Sequence, residues 1–146
     1  MRRGLYLLAA DGCQETVWRC AVRSLSARGD GWLVDCLDCL YETGLSPGMY
    51  TTDSLLAALK GSRDIFSARM ICLPEARPPD REIKTCDDFF AGNAHGIILC
   101  ADGVHFEVFS RQEERLSNLM RSLPGDSIVR AAWLDESLGG RREFVV

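Results

Sequence analysis

Lysine is nearly missing from this chain: Lys60 and Lys84 are the only basic residues that are not arginine among 17. Acidic residues number 21, giving a formal net charge of −4 and a pI near 5.2. Phosphate binding needs a basic face, so the balance argues against a general nucleic-acid partner. Arginine favours planar, bidentate contacts, although genome base composition produces the same bias. Long apolar runs are missing too. Leu5 to Ala10 stops at Asp11, too short for a secretory core or a membrane span, which points to the cytoplasm and to no membrane partner. There is no P-loop, no G-x-G-x-x-G and no G-x-S-x-G. Gly29-Asp30-Gly31 follows a helical pattern, the wrong context for a phosphate loop. No cofactor is expected.

What is present suits one globular domain. A chain of 146 residues, 47% hydrophobic and 26% charged, buries roughly 70% of its unfolded surface without staples. The seven cysteines, at 13, 20, 36, 39, 72, 86 and 100, are odd in number and scattered. Without an export signal they read as reduced, mostly buried apolar residues.

Along the chain, Gly4 to Ala9 reads as an opening strand. Val17, Trp18, Ala21, Val22 and Leu25 then follow helical spacing, with Gly29 and Gly31 as the stop. Trp32 to Tyr41 fits either a helical stripe or a strand; Trp32 and Val34 favour an extended, bent segment. Thr43 to Tyr50 reads as a loop. Thr52 or Asp53 caps a short helix through Leu55, Leu56 and Leu59, ended by Gly61. Ile65 to Leu73 is apolar on both faces, an interior strand ending at Pro74, and Pro74 to Asp80 is a stiff surface connection. Thr85-Cys86-Asp87-Asp88 resembles a capped helix start.

The strongest local signal is Gly96 to Phe109, two apolar runs around Asp102-Gly103, a type I′ hairpin turn. A two-residue turn pairs Ala101 with Val104, Cys100 with His105 and Leu99 with Phe106. Ile97, Leu99, Ala101, Val104, Phe106 and Val108 would then share one apolar face. Ser110 and Glu113 form a capping-box pattern ahead of Leu116, Leu119, Met120 and Leu123. Ser127 to Leu134 reads as a strand, and Glu143 to Val146 as a terminal strand after the Gly139-Gly140 turn. The expected fold is a single α+β domain with a mixed, mostly antiparallel sheet. About four helices pack on it in the order β-α-β-α-β-α-β-β-α-β-β.

Three groups of residues are candidate sites. Cys100, His105 and Glu107 supply a thiol, an imidazole and a carboxylate, the outline of nucleophile, base and orienting acid; a mid-strand thiol with solvent-facing polar neighbours is the plainer reading. Cys36 and Cys39 form a C-x-x-C pair that could hold zinc or act in redox chemistry, yet on a strand the two point to opposite faces. Asp35 and Asp38 with Glu42, and Asp87 with Asp88, are the densest acidic groups; they could meet a hard cation or a basic partner, though a solvated face explains them as well. Trp32 beside Asp35 completes an acidic and aromatic patch. Arg2-Arg3 and Arg141-Arg142 could form one basic spot if both end strands pair.

Met1-Arg2-Arg3-Gly4, Trp32 at the head of an extended segment, Thr85-x-Asp87-Asp88-Phe89, and the Val104 to Phe109 strand running into the Ser110 helix together resemble an uncharacterised family of short bacterial proteins, known as a domain of unknown function. The resemblance implies an α+β fold over the whole chain and no activity. Core and capping signals without a convergent catalytic set point to a small interaction or regulatory protein whose partner is another protein, as in the immunity-type neutralisation of a basic one. The alternative is a cysteine-dependent enzyme or redox protein using Cys100 with His105, or Cys36 with Cys39.

Overall fold

Val17, Trp18, Ala21, Val22 and Leu25 recur every three or four residues, and all five are fully buried. That spacing folds them into one face of helix α1 (Gln14–Leu25). The computed structural model describes residues 2–39, 44–60 and 64–135. Tyr41, Glu42, Gly61, the Gly139-Gly140 turn, Arg141-Arg142 and the expected strand Glu143 to Val146 lie outside them.

Seven strands make one sheet: β1 (Arg2–Ala9), β2 (Gly31–Cys39), β3 (Gly48–Thr51), β4 (Ile65–Leu73), β5 (Gly96–Ala101), β6 (His105–Ser110) and β7 (Ile128–Asp135). Their order is β3-β2-β4-β5-β6-β1-β7, and every described pairing is antiparallel. Beside α1 stand α2 (Thr52–Ala58), α3 (Cys86–Ala91) and α4 (Glu113–Ser122). This is the α+β fold expected. One strand, β3, is added inside the segment read as a loop, where Gly48 to Thr51 pairs with β2. Trp32 to Cys39 is extended and bent: Cys36 has φ +50°, and the β2–β4 register shifts between Asp35 and Asp38, as in a β-bulge. No described helix is long and apolar enough to cross a membrane.

The two faces of the sheet are covered differently. One packs Leu5, Leu7, Trp32, Val34, Met70, Ile98, Phe106 and Val108 against α1, α2 and α4. Over part of the other, Ile83, Cys86, Phe89 and Ala94 cover Ile71, Leu73, Ile97, Leu99 and Phe109. Residues 74–95 thus form a strap with α3 at its centre. A capping box starts α3: Thr85 Oγ1 accepts from the Asp88 N–H, and the Asp88 carboxylate accepts from the Thr85 N–H. The Lys84 N–H, with help from Thr85, also holds the Asp88 carboxyl below its usual range.

Two other caps fall a residue or more from their expected place. Thr51, not Thr52 or Asp53, caps α2 by accepting from the Ser54 N–H. Ser110 remains in β6 and its hydroxyl accepts from the Gln112 N–H, so α4 starts at Glu113 without a side-chain cap. At α2 the strand's last residue serves as the cap, and at α4 the strand keeps Ser110, the residue that local propensity would give to the helix.

Arginines finish what the caps leave undone. The last carbonyls of a helix have no intrahelical donor, and a guanidinium carries five. Arg111 donates from Nε to Ala94 O (2.7 Å), from Nη1 to Phe90 O (3.0 Å), and from Nη2 to Phe89 O (2.9 Å) and Gly92 O. Arg115 holds Leu25 O and Ser26 O at the end of α1, and Arg19 holds Leu56 O in α2. Arg111→Ala is therefore expected to lose about 2 kcal/mol of stability. Hydrogen exchange should place the loss in α3 and its flanks; uniform loss of protection would contradict the clamp.

Candidate functional site

The β5–β6 hairpin decides the fate of the sulfur-centred candidate. Asp102 and Gly103 both take positive φ (+53° and +74°), as a hairpin tip on this dipeptide requires. Yet Val104 belongs to the turn, and Ala101 pairs with His105, Cys100 with Phe106 and Leu99 with Glu107. The expected register is thus one residue out. The tip is tied to its neighbours instead of closing on itself: Gly103 N–H donates to Phe66 O (2.7 Å), and Ala9 N–H donates to Val104 O (2.9 Å). One residue of slip sends every side chain to the other face. Phe106 and Val108 join Ile98 and Cys100 under the helices, whereas His105 and Glu107 share the other face with Ile97, Leu99 and Ala101. Cys100 and His105 consequently point apart.

His105 finds a different partner, one that β1 supplies. Its Nδ1 and the Tyr6 hydroxyl share a 2.7 Å hydrogen bond, and the rings lie 6.0 Å apart at 28°. Glu107 sits directly across from Tyr6 in the β1–β6 ladder. A phenol, an imidazole and a carboxylate therefore line the half of this face that the strap leaves open, all of them half-buried. Tyr6 was not among the expected site residues. Its only sequence signal is its place on the outward alternation of β1.

Cys100 is fully buried, and burial pushes its thiol up to about 12. Cys72 is sealed the same way and raised further. Its sulfur donates to Asp30 Oδ2 (3.3 Å), which also accepts from the Ala27 N–H (2.7 Å) and from His95 Nδ1 (3.2 Å). Here a thiol, a carboxylate and an imidazole do meet, but the carboxylate stands between the other two. A thiol that donates to a carboxylate keeps its proton, so the arrangement fastens the α1–β2 turn to β4 and β5 rather than activating sulfur.

Cys36 is exposed on the bulge, and Cys39 packs against the helix-side core, so the two sulfurs of the C-x-x-C pair have different surroundings. Among the described residues no three Cys, His, Asp or Glu side chains are grouped to hold a metal ion. A thiol reagent at neutral pH should therefore modify Cys36 first and leave Cys72 and Cys100 untouched until the protein unfolds. Rapid native labelling of Cys100 would refute the burial argument. The sign with pH follows from the raised values. Above the ordinary thiol range the unfolded chain releases protons that the fold retains, so stability falls as the pH climbs towards about 12.

The expected acidic and aromatic patch is dispersed. Trp32 is fully buried, with its indole N–H donating to Ser26 Oγ at 3.0 Å. Asp35 receives Arg69 in a bidentate pair, Nε to Oδ1 at 2.7 Å and Nη2 to Oδ2 at 2.8 Å, while Arg69 Nη1 donates to Ile83 O. That pair raises the Arg69 guanidinium above its ordinary value and ties the strap to β4. Only Asp38 of the three is exposed.

Asp38 has other company. Cys39 lies opposite Ile65, Phe66 O accepts from the Gly103 N–H, Val104 O from the Ala9 N–H, and Ser127 O from the Ala10 N–H. The ends of β2, β4, the β5–β6 hairpin, β1 and β7 are thereby joined along one edge. Asp38, Asp64, Asp102, Asp11 and Asp126 occupy those five places; all but the half-buried Asp64 are exposed. None forms an ion pair with a described residue. They outnumber Lys60 and Arg130, the described cations on the adjoining stretches. The chain matches no family model, no curated protein and no solved structure.

The rim could not be read from the sequence because its five aspartates are far apart along the chain. Each looks like an ordinary turn residue beside a strand. Sheet order alone brings them together.

Proposed function

We propose that this protein is a small interaction or regulatory protein that binds a basic protein partner, in the manner of an immunity-type binder, through the aspartate rim at the strand ends. The observation that supports the reading is the run of five aspartates without described ion-pair partners across five adjoining strand ends. Charges held apart on separate backbone anchors keep a negative potential that draws in a basic surface. Of the residues expected to meet the partner, Asp38 stays within this surface; Trp32 and Asp35 are engaged inside the fold. The reading as a cysteine-dependent enzyme or redox protein has weaker support, since Cys100 and His105 occupy opposite faces, and Cys36 is exposed where Cys39 packs against the core.

The test compares cross-linked partners captured by the native protein with those captured by a variant carrying Asp11→Asn, Asp38→Asn, Asp102→Asn and Asp126→Asn. Asparagine keeps the size and the turn preferences of aspartate, so the fold should persist. Basic proteins should be captured by the native chain at low salt and lost from the variant, with a control carrying Glu113→Gln and Glu114→Gln unaffected. Equal capture by the rim variant, or a captured set without a basic protein, would overturn the reading.

A further inference from the structure

The outer flanks of α1 and α4 border an open groove of about 640 Å³, within the size range of small-molecule sites. Two packed helices ordinarily close their seam with apolar side chains. Here Leu116 and Leu119 of α4 turn to the core, and the groove is left to polar groups. Among the described lining residues Arg23 and Arg115 stand with one acid, Glu114, while Ser24, Asn118 and Ser122 add hydroxyl and amide groups. A basic lining stands out on a chain whose net charge is −4.

The two arginines are prepared differently. Arg115 is held in place: its Nε donates to Gln112 Oε1 (2.8 Å) and its Nη1 to Leu25 O and Ser26 O. Its Nη2 has no acceptor among the described residues. A guanidinium already fixed in this way loses little freedom when it binds an anion. The Arg23 guanidinium and the Ser24 hydroxyl make no bond to a described residue and can turn to a ligand.

We propose that this groove binds a phosphorylated, hydroxyl-rich small molecule of the sugar-phosphate class. The phosphate sits against Arg23 and the free edge of Arg115, where guanidinium geometry matches phosphate oxygens. The Asn118 carbonyl already accepts from Arg121 and the Ser122 hydroxyl donates to Leu119 O. The ligand's hydroxyls therefore meet the Ser24 hydroxyl, the Asn118 amide N–H and the Ser122 oxygen as acceptor, and Glu114 accepts a hydroxyl rather than facing a second phosphate. Among the described lining residues there is no aromatic ring for a nucleobase to stack on. The site is on the helical layer, separate from the aspartate rim.

Isothermal titration of the whole chain with ribose 5-phosphate tests the site, with ribose, inorganic phosphate and AMP as comparison ligands. Ribose 5-phosphate should bind saturably, ribose should not, and AMP should bind no more tightly than the sugar phosphate. Arg23→Gln, an exposed change, should weaken binding about tenfold, the loss of one charge-assisted contact. Arg77→Gln, away from the groove, should leave it unchanged. Absence of saturable binding, or equal affinity in the Arg23→Gln variant, would overturn the site. Inorganic phosphate binding as tightly as ribose 5-phosphate would overturn the assignment of the hydroxyl contacts.

Discussion

Trp32→Ala is expected to destabilise the protein by about 4 kcal/mol, the usual loss when a fully buried large aromatic is cut back in a core. Trp32 lies between Tyr50 of β3 and Cys72 of β4 in the ladders, and its ring is closed off from solvent. Its indole N–H bonds to the Ser26 hydroxyl, which itself donates to Val22 O. One side chain therefore joins the sheet to the end of α1. Trp32→Phe, which keeps most of the ring but drops that bond, should lose about 1.5 kcal/mol. Urea denaturation separates the possibilities: the midpoint should fall with the slope unchanged. A tryptophan acting as a surface anchor would leave the midpoint where it was.

Asp30→Ala is the second large effect, about 3 kcal/mol. The Asp30 side chain is only 3% exposed, and removing it strands the Ala27 N–H, the Cys72 thiol and His95 Nδ1 at once. Leaving buried donors without an acceptor costs more than the lost bonds themselves. Asp30→Asn retains an oxygen for Ala27 and should lose about half as much. Equilibrium unfolding gives the totals, and exchange of the Ala27 amide locates the change. An Asp30→Ala protein as stable as the native one would mean that the three donors find other acceptors.

The elements that the sequence announced are those whose burial is one-sided or whose punctuation is strong. The α1 stripe, the β4 run ending at Pro74, and Thr85 with Asp88 all behave as local chemistry dictates. The hairpin failed in a more instructive way. Its turn residues were right, but Gly96 to Cys100 are buried on both faces, so alternation carries no register, and bonds from β1 and β4 placed Val104 in the turn. Trp32 misled because an aromatic beside aspartates looks like a binding patch until β3 and β4 enclose it. The arginines hid their role for a related reason. Arg19, Arg111 and Arg115 act on carbonyls 37, 17 to 22 and about 90 residues away in the chain, distances at which composition says nothing.

The place of β1 in the sheet has a bearing on how the protein is made. Residues 2–9 are made well before residues 105–109 and 128–135, their partners among the described strands. At roughly 5–20 residues per second, β1 waits several seconds for these neighbours, its apolar Leu5 and Leu7 unsheltered. By contrast β2, β3 and β4 can pair as soon as they emerge. Pairing of β1 is therefore a late, long-range event that places it between two strands made about a hundred residues later, β6 and β7, and such non-local pairing is slow.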